Sequence, residues 1–96
     1  MSLSPQLQVT LEYLHSAFPE AIVSGPDGRW PGDLVRLFRV WWPGRDDRTH
    51  RLGVQADEWP EVEGLASALR ERKAAEYIRD VGDASIHPSG FVPLDS

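Results

Sequence analysis

The chain has 96 residues, 41% of them hydrophobic and 26% charged, with fifteen acids against ten bases and a formal charge of −5. That is the composition and length of one soluble globular domain, and it excludes a disordered tail, a collagen-like chain and a coiled coil. The chain has no cysteine, which removes disulfides, thiolate chemistry and cysteine zinc sites.

Ser4-Pro5 is a helix start, a hydroxyl cap followed by proline where its missing N–H does no harm. Leu7, Leu11, Leu14 and Phe18 follow at helical spacing, and Pro19 predicts the end. Ala21–Val23 is a short strand candidate, and Ser24–Gly28 is turn chemistry. Leu34–Trp42 is the strongest strand pattern in the chain, rich in β-branched and aromatic residues. Pro43–Arg48 reads as a hairpin loop and Thr49–Ala56 as an alternating strand. Asp57 is the predicted cap of a second helix running to about Val81, with acids in its first turn and Gly82 as its stop. Its apolar stripe (Val62, Leu65, Ala66, Leu69) blurs across Arg70, Arg72 and Lys73 and resumes at Tyr77 and Ile78.

The expected fold is therefore α+β, in the order α-β-β-β-α. A three-stranded antiparallel sheet, four-stranded if the tail joins, packs two helices on one face. Residues 1–83 form the domain, and residues 84–96 are an arm or edge strand packed on it. The order is similar to that of double-stranded-RNA-binding domains in topology only. Those domains start their second helix with lysines facing phosphates, whereas Asp57, Glu58, Glu61 and Glu63 here would repel RNA.

The central strand has two apolar faces. Leu34, Arg36, Phe38, Val40 and Trp42 lie on one, and Val35, Leu37, Arg39 and Trp41 on the other. With Phe38 and Val40 under the helices, Val35, Leu37 and Trp41 look outward, too apolar a row to be left wet without a cause. A second copy of the chain, the C-terminal arm (Phe91, Val92, Leu94) or another molecule would cover it. A homodimer is the expectation, with Arg39 and Arg51 bordering the contact, since small domains with thin cores commonly associate.

Charge is segregated. Residues 29–51 sum to +3, and residues 52–83 to −4. Arg36, Arg45 and Arg48 are thus candidates for holding an anion or an acidic partner, and a phosphate- or nucleic-acid-binding hairpin is the alternative function. The overall acidity makes nucleic acid the weaker expectation.

The three histidines, His15, His50 and His87, fall in separate elements without metal-ligand spacing, so no metal is expected. His50, on the apolar face of its strand near Asp46 and Asp47, is the candidate titrating group. Glu76 and Asp80 share a helix face but read as solvated. No nucleophile elbow or phosphate loop occurs, so neither catalysis nor a cofactor is expected. Trp30, Trp42 and Trp59 each precede proline and read as clamps on the core. No apolar run spans a bilayer, and Met1–Pro5 has no signal-peptide features. A cytoplasmic bacterial interaction protein without catalysis is the resulting expectation. Nine arginines to one lysine and no asparagine suggest a GC-rich genome.

Overall fold

Helix α1 spans Pro5–Ala17 as its signals predict. The Ser4 hydroxyl accepts from the Leu7 N–H at 3.4 Å. Leu7, Leu14 and Phe18 are buried against the sheet, while Leu11 packs at the margin. Thr10 is buried in this stripe because its hydroxyl donates to the Gln6 carbonyl at 2.9 Å, so no polar group is stranded. The structure, a computed structural model, describes residues 4–29, 35–44 and 49–94.

Among the described residues five strands follow, not three or four: β1 (Ile22–Arg29), β2 (Arg36–Trp41), β3 (His50–Val54), β4 (Ala84–His87) and β5 (Gly90–Pro93). They lie side by side in sequence order in one sheet. β1–β2, β2–β3 and β4–β5 pair antiparallel, but β3 and β4 pair parallel. The all-antiparallel expectation is thereby corrected to a mixed sheet. Between β3 and β4 the chain runs through helices α2 (Val62–Glu71) and α3 (Ala74–Asp80), long enough to return to the end of the sheet from which β3 began.

The single second helix is also corrected. One 3-10 turn occupies Ala56–Glu58, and α2 starts only after Glu61, which supplies no side-chain cap. Lys73, at φ 53°, turns the chain between α2 and α3. The blurred stripe explains the break. Leu65, Ala68 and Leu69 form one buried set and Ala74, Ala75 and Ile78 another. Arg72 and Lys73 stand where a straight helix would continue the first set, so the axis must turn to bury the second.

The turn expected at Ser24–Gly28 lies inside β1. Ser24 pairs with Arg39 and Gly28 with Leu37, so the residues between them form a bulge. Gly25 has φ 135°, and a Cβ there would sit 2.9 Å from the Leu37 carbonyl oxygen, which only glycine avoids.

All three helices share one core with one face of the sheet: Val23, Phe38, Val40, Leu52, Val54 and Ile86. Each fully buried side chain of this size contributes roughly 1.5–3 kcal/mol. Two tail residues expected to pack as an arm, Phe91 and Leu94, close the β4 side. Phe91 stacks on Tyr77 of α3 with ring centroids 4.1 Å apart, and Leu94 is buried.

Candidate functional site

The opposite face of the sheet has no described helix against it. Alternation along β2 places Val35, Leu37, Arg39 and Trp41 there, as the sequence predicts. Ile22 is the cross-strand partner of Trp41 on β1, and Val92 lies on the same face of β5. Ile22 is 42% exposed and Val92 51%. Leu37 and Trp41 are half-buried and Arg39 is exposed. Val35 differs: only 2% of it is exposed, so it fills the face within the chain rather than offering surface. It does so over Gly53, where a built Cβ would lie 2.6 Å from Val35 Cγ1. The missing side chain on β3 is the seat for Val35.

Arg39 and Arg51 face each other across β2 and β3. Like charges directly opposite are destabilising, and the chain relieves this one. Asp83, just before β4, accepts from the Arg51 backbone N–H at 2.9 Å and from its Nε at 2.8 Å. Arg39 places its guanidinium 5.7 Å from the Trp41 ring centroid, a cation–π distance, and it is not otherwise without a partner.

Of the candidate anion-binding arginines, Arg36 alone lies among the described residues. Arg36 lies on the helix side with Phe38 and Val40, and its buried Nε has no acceptor among the described residues. Arg39 and Arg51 are on the opposite face. Arg45 and Arg48 lie outside the described residues. His50 is buried at the core edge, its ring edge-to-face with Trp42 at 5.7 Å, and Trp42 meets Phe18 in the same manner at 5.6 Å. Trp42 and Trp59 pack into the core, as clamps would, while Trp30 is outside the described residues. Glu76 and Asp80 are bound to Arg79 rather than facing an ion. The Arg79 guanidinium donates to Asp80 and holds that carboxyl below the usual carboxylate range, and Asp80 in turn raises Arg79. Among the described residues no group of three or more His, Asp and Glu is placed to hold a metal. No helix of the described residues is long and apolar enough to cross a membrane.

One arrangement escaped sequence reading. Ser85 and His87, two apart on β4, point to the same face, and the Ser85 Oγ lies 2.9 Å from His87 Nε2. His87 Nδ1 contacts Glu58 Oε1, from the turn after β3. A carboxylate only accepts, so with a neutral imidazole Nδ1 carries the hydrogen and Nε2 offers its lone pair to the serine hydroxyl. This is the connectivity that orients a base toward a nucleophile. Ser85 is only 2% exposed, whereas the side chains of His87 and Glu58 are 16% and 38% exposed. β4 lies between β3 and β5, so its backbone N–H groups serve the two ladders. The short alternation of residues 84–87 was the available signal, and Pro88 beside it hid the strand.

A shallow cleft of about 250 Å³ separates α1 from α2, lined by Val9, Glu12, Tyr13, Ser16, Ala66 and Arg70. The Tyr13 hydroxyl beneath it accepts from the Ala75 N–H and so caps α3. Comparison of the chain with protein-family models, curated proteins and solved structures finds no match in any of the three.

Proposed function

We propose that this is a small interaction domain, without catalytic turnover, that docks a second copy of itself through the outer face of its sheet. The observation behind this reading is the patch of Ile22, Leu37 and Trp41, with Arg39 stacked on the tryptophan, on a face that no described helix covers. Tryptophan and arginine are the residues that most often anchor protein contacts. Pairing through a sheet edge has less support. β5 is four residues long and ends in Pro93, and β1 carries Pro26 and a bulge, devices that blunt an edge.

Arg51 is bound to Asp83, and Arg39 keeps an exposed guanidinium beside Trp41, within a patch that is otherwise apolar. An apolar patch of this kind can meet its own copy across a two-fold axis. The competing reading, a phosphate- or nucleic-acid-binding hairpin over residues 29–51, lacks a common face for its described arginines. Five strands spaced about 4.8 Å apart, each about five residues of 3.3 Å, give a face of roughly 400 Å² in projection. Counted on both partners this is about 800 Å², below the range of stable interfaces and within that of transient encounters, so the dimer is weak and dependent on concentration.

Light scattering after size exclusion tests this across a dilution series. Mass should rise from monomer toward dimer with concentration in the native chain and stay monomeric in Trp41→Glu. A native chain that remains monomeric at hundreds of micromolar refutes the reading. An association that weakens steeply with salt, or on adding an oligonucleotide, favours the arginine hairpin instead.

A further inference from the structure

We propose that Ser85 is a base-activated nucleophile that accepts one small acyl group from an activated ester and retains it. The assignment rests on the hydrogen-bonded chain from Ser85 Oγ through His87 to Glu58. Three residue types stand in the order required: a hydroxyl on the free nitrogen of an imidazole whose other nitrogen is held by a carboxylate. Two come from one strand and the third from the turn leaving its parallel neighbour. Glu58 and His87 both stand at the carboxyl end of the parallel β3–β4 pair.

The step balances within this chain and the ester. Ser85 Oγ bonds to the carbonyl carbon while its proton passes to His87 Nε2, and Glu58 stabilises the imidazolium. The carbonyl then re-forms, the bond to the leaving phenolate breaks, and the proton is released to the phenolate or to water. Two structural features limit the fate and the size of the acyl group. The N–H groups of β4 are engaged in the ladders with β3 and β5, so the strand offers no spare donor to an oxyanion beside Ser85. Loss of one such donor slows acyl transfer by about 10²–10³, and the same deficit opposes hydrolysis of the ester once formed. Ser85 is nearly buried, which disfavours bulky acyl groups, and the side open to an ester is that of the more exposed His87 and Glu58 side chains.

The probe is p-nitrophenyl acetate on the full chain. The native protein should release one equivalent of nitrophenolate in a burst, then stop, with one acetyl group located on Ser85 by peptide mass spectrometry. Ser85→Ala should abolish the burst. Glu58→Gln, which keeps side-chain shape, and His87→Gln, which removes the base, should each slow it on the order of a hundredfold, the typical lower range for a positioned base. Far-ultraviolet circular dichroism checks that each variant folds. A native chain unlabelled at Ser85, or labelled only at Lys73 or exposed hydroxyls, overturns the proposal, and so does equal labelling in Glu58→Gln. Continuous turnover at Ser85 overturns the assignment of a retained acyl group. Ser85 shares the outer face with Val92, so labelling is run at a dilution where light scattering shows monomer, and its outcome is then independent of the dimer.

Discussion

Gly53 is the position at which the outer face can be interrogated most directly. It lies in β3, the middle strand of five, and a Cβ added there would come within 2.6 Å of Val35 Cγ1, 3.2 Å of Ser85 Cβ and 3.4 Å of Leu37 Cδ2. Val35 is buried and β-branched, with few rotamers to retreat into. Overpacking of this kind costs about 1–3 kcal/mol. Replacing glycine by alanine also restricts the unfolded chain, which returns about 0.4–1 kcal/mol. Gly53→Ala should therefore lose about 1–2 kcal/mol. For a chain of this length that corresponds to a fall in Tm of about 5–10 °C. Urea titration should show a lower midpoint at an unchanged slope. Val35→Ala alone removes two buried methyl groups and costs about 1.5 kcal/mol. In the double variant the new methyl occupies the space that the valine vacates, so the two losses should fall short of additivity by at least about 0.5 kcal/mol. A Gly53→Ala protein as stable as the native one, or strictly additive losses, would show that Val35 does not seat on Gly53.

Three further outcomes rest on single contacts. Asp83→Ala leaves the Arg51 backbone N–H without its acceptor and unpins the start of β4 from β3. Discounted for the partial exposure of the pair, it should cost about 1–2 kcal/mol in chemical denaturation, and a change within error would refute the anchoring role. Lys73→Gly relieves a left-handed residue held at a steric cost of about 1 kcal/mol, so its Tm should not fall; a loss of several degrees would mean that the lysine side chain has a structural task. Asp80 has its carboxyl held below the ordinary value by Arg79, so whatever the pair contributes is present above that ordinary value and lost as pH falls through the lowered one. Both partners are open to solvent, and Asp80→Asn should melt indistinguishably from the native chain at neutral pH; a clear loss there would contradict the exposed placement of the pair.

Much of the fold was legible because its signals are local. Ser4, Pro5 and the Leu7–Phe18 stripe specify α1 by capping chemistry and period alone, and period two in Val35–Trp41 specifies which side chains share a face. The break at Lys73 was present in the sequence as a stripe that faded and returned out of phase, but a lysine in the left-handed region leaves no compositional mark. The bulge in β1 resembles a turn because both need a glycine at positive φ. Only the closeness of the Gly25 backbone to Leu37 and Phe38, a fact of pairing, separates the two.

The direction of β4 was the decisive unread feature, and it connects the fold to the site. Four residues followed by a proline give too little pattern to identify a strand, still less its orientation. An antiparallel neighbour of β3 would end near the start of β3 and carry His87 away from the turn that follows β3. The parallel pairing of Leu52, Gly53 and Val54 with Ala84, Ser85 and Ile86 instead ends both strands on the same side. Glu58 comes four residues after Val54, and His87 comes one residue after Ile86. One topological choice, made possible by the helical crossover, therefore creates the contact between them. The absent side chain at Gly53, directly beside Ser85, lets Val35 fold over the same stretch of sheet. The outer face and the serine–histidine–glutamate chain are thus adjoining consequences of how β3 and β4 pair, and the Gly53→Ala substitution should perturb both Val35 packing and the reactivity of Ser85.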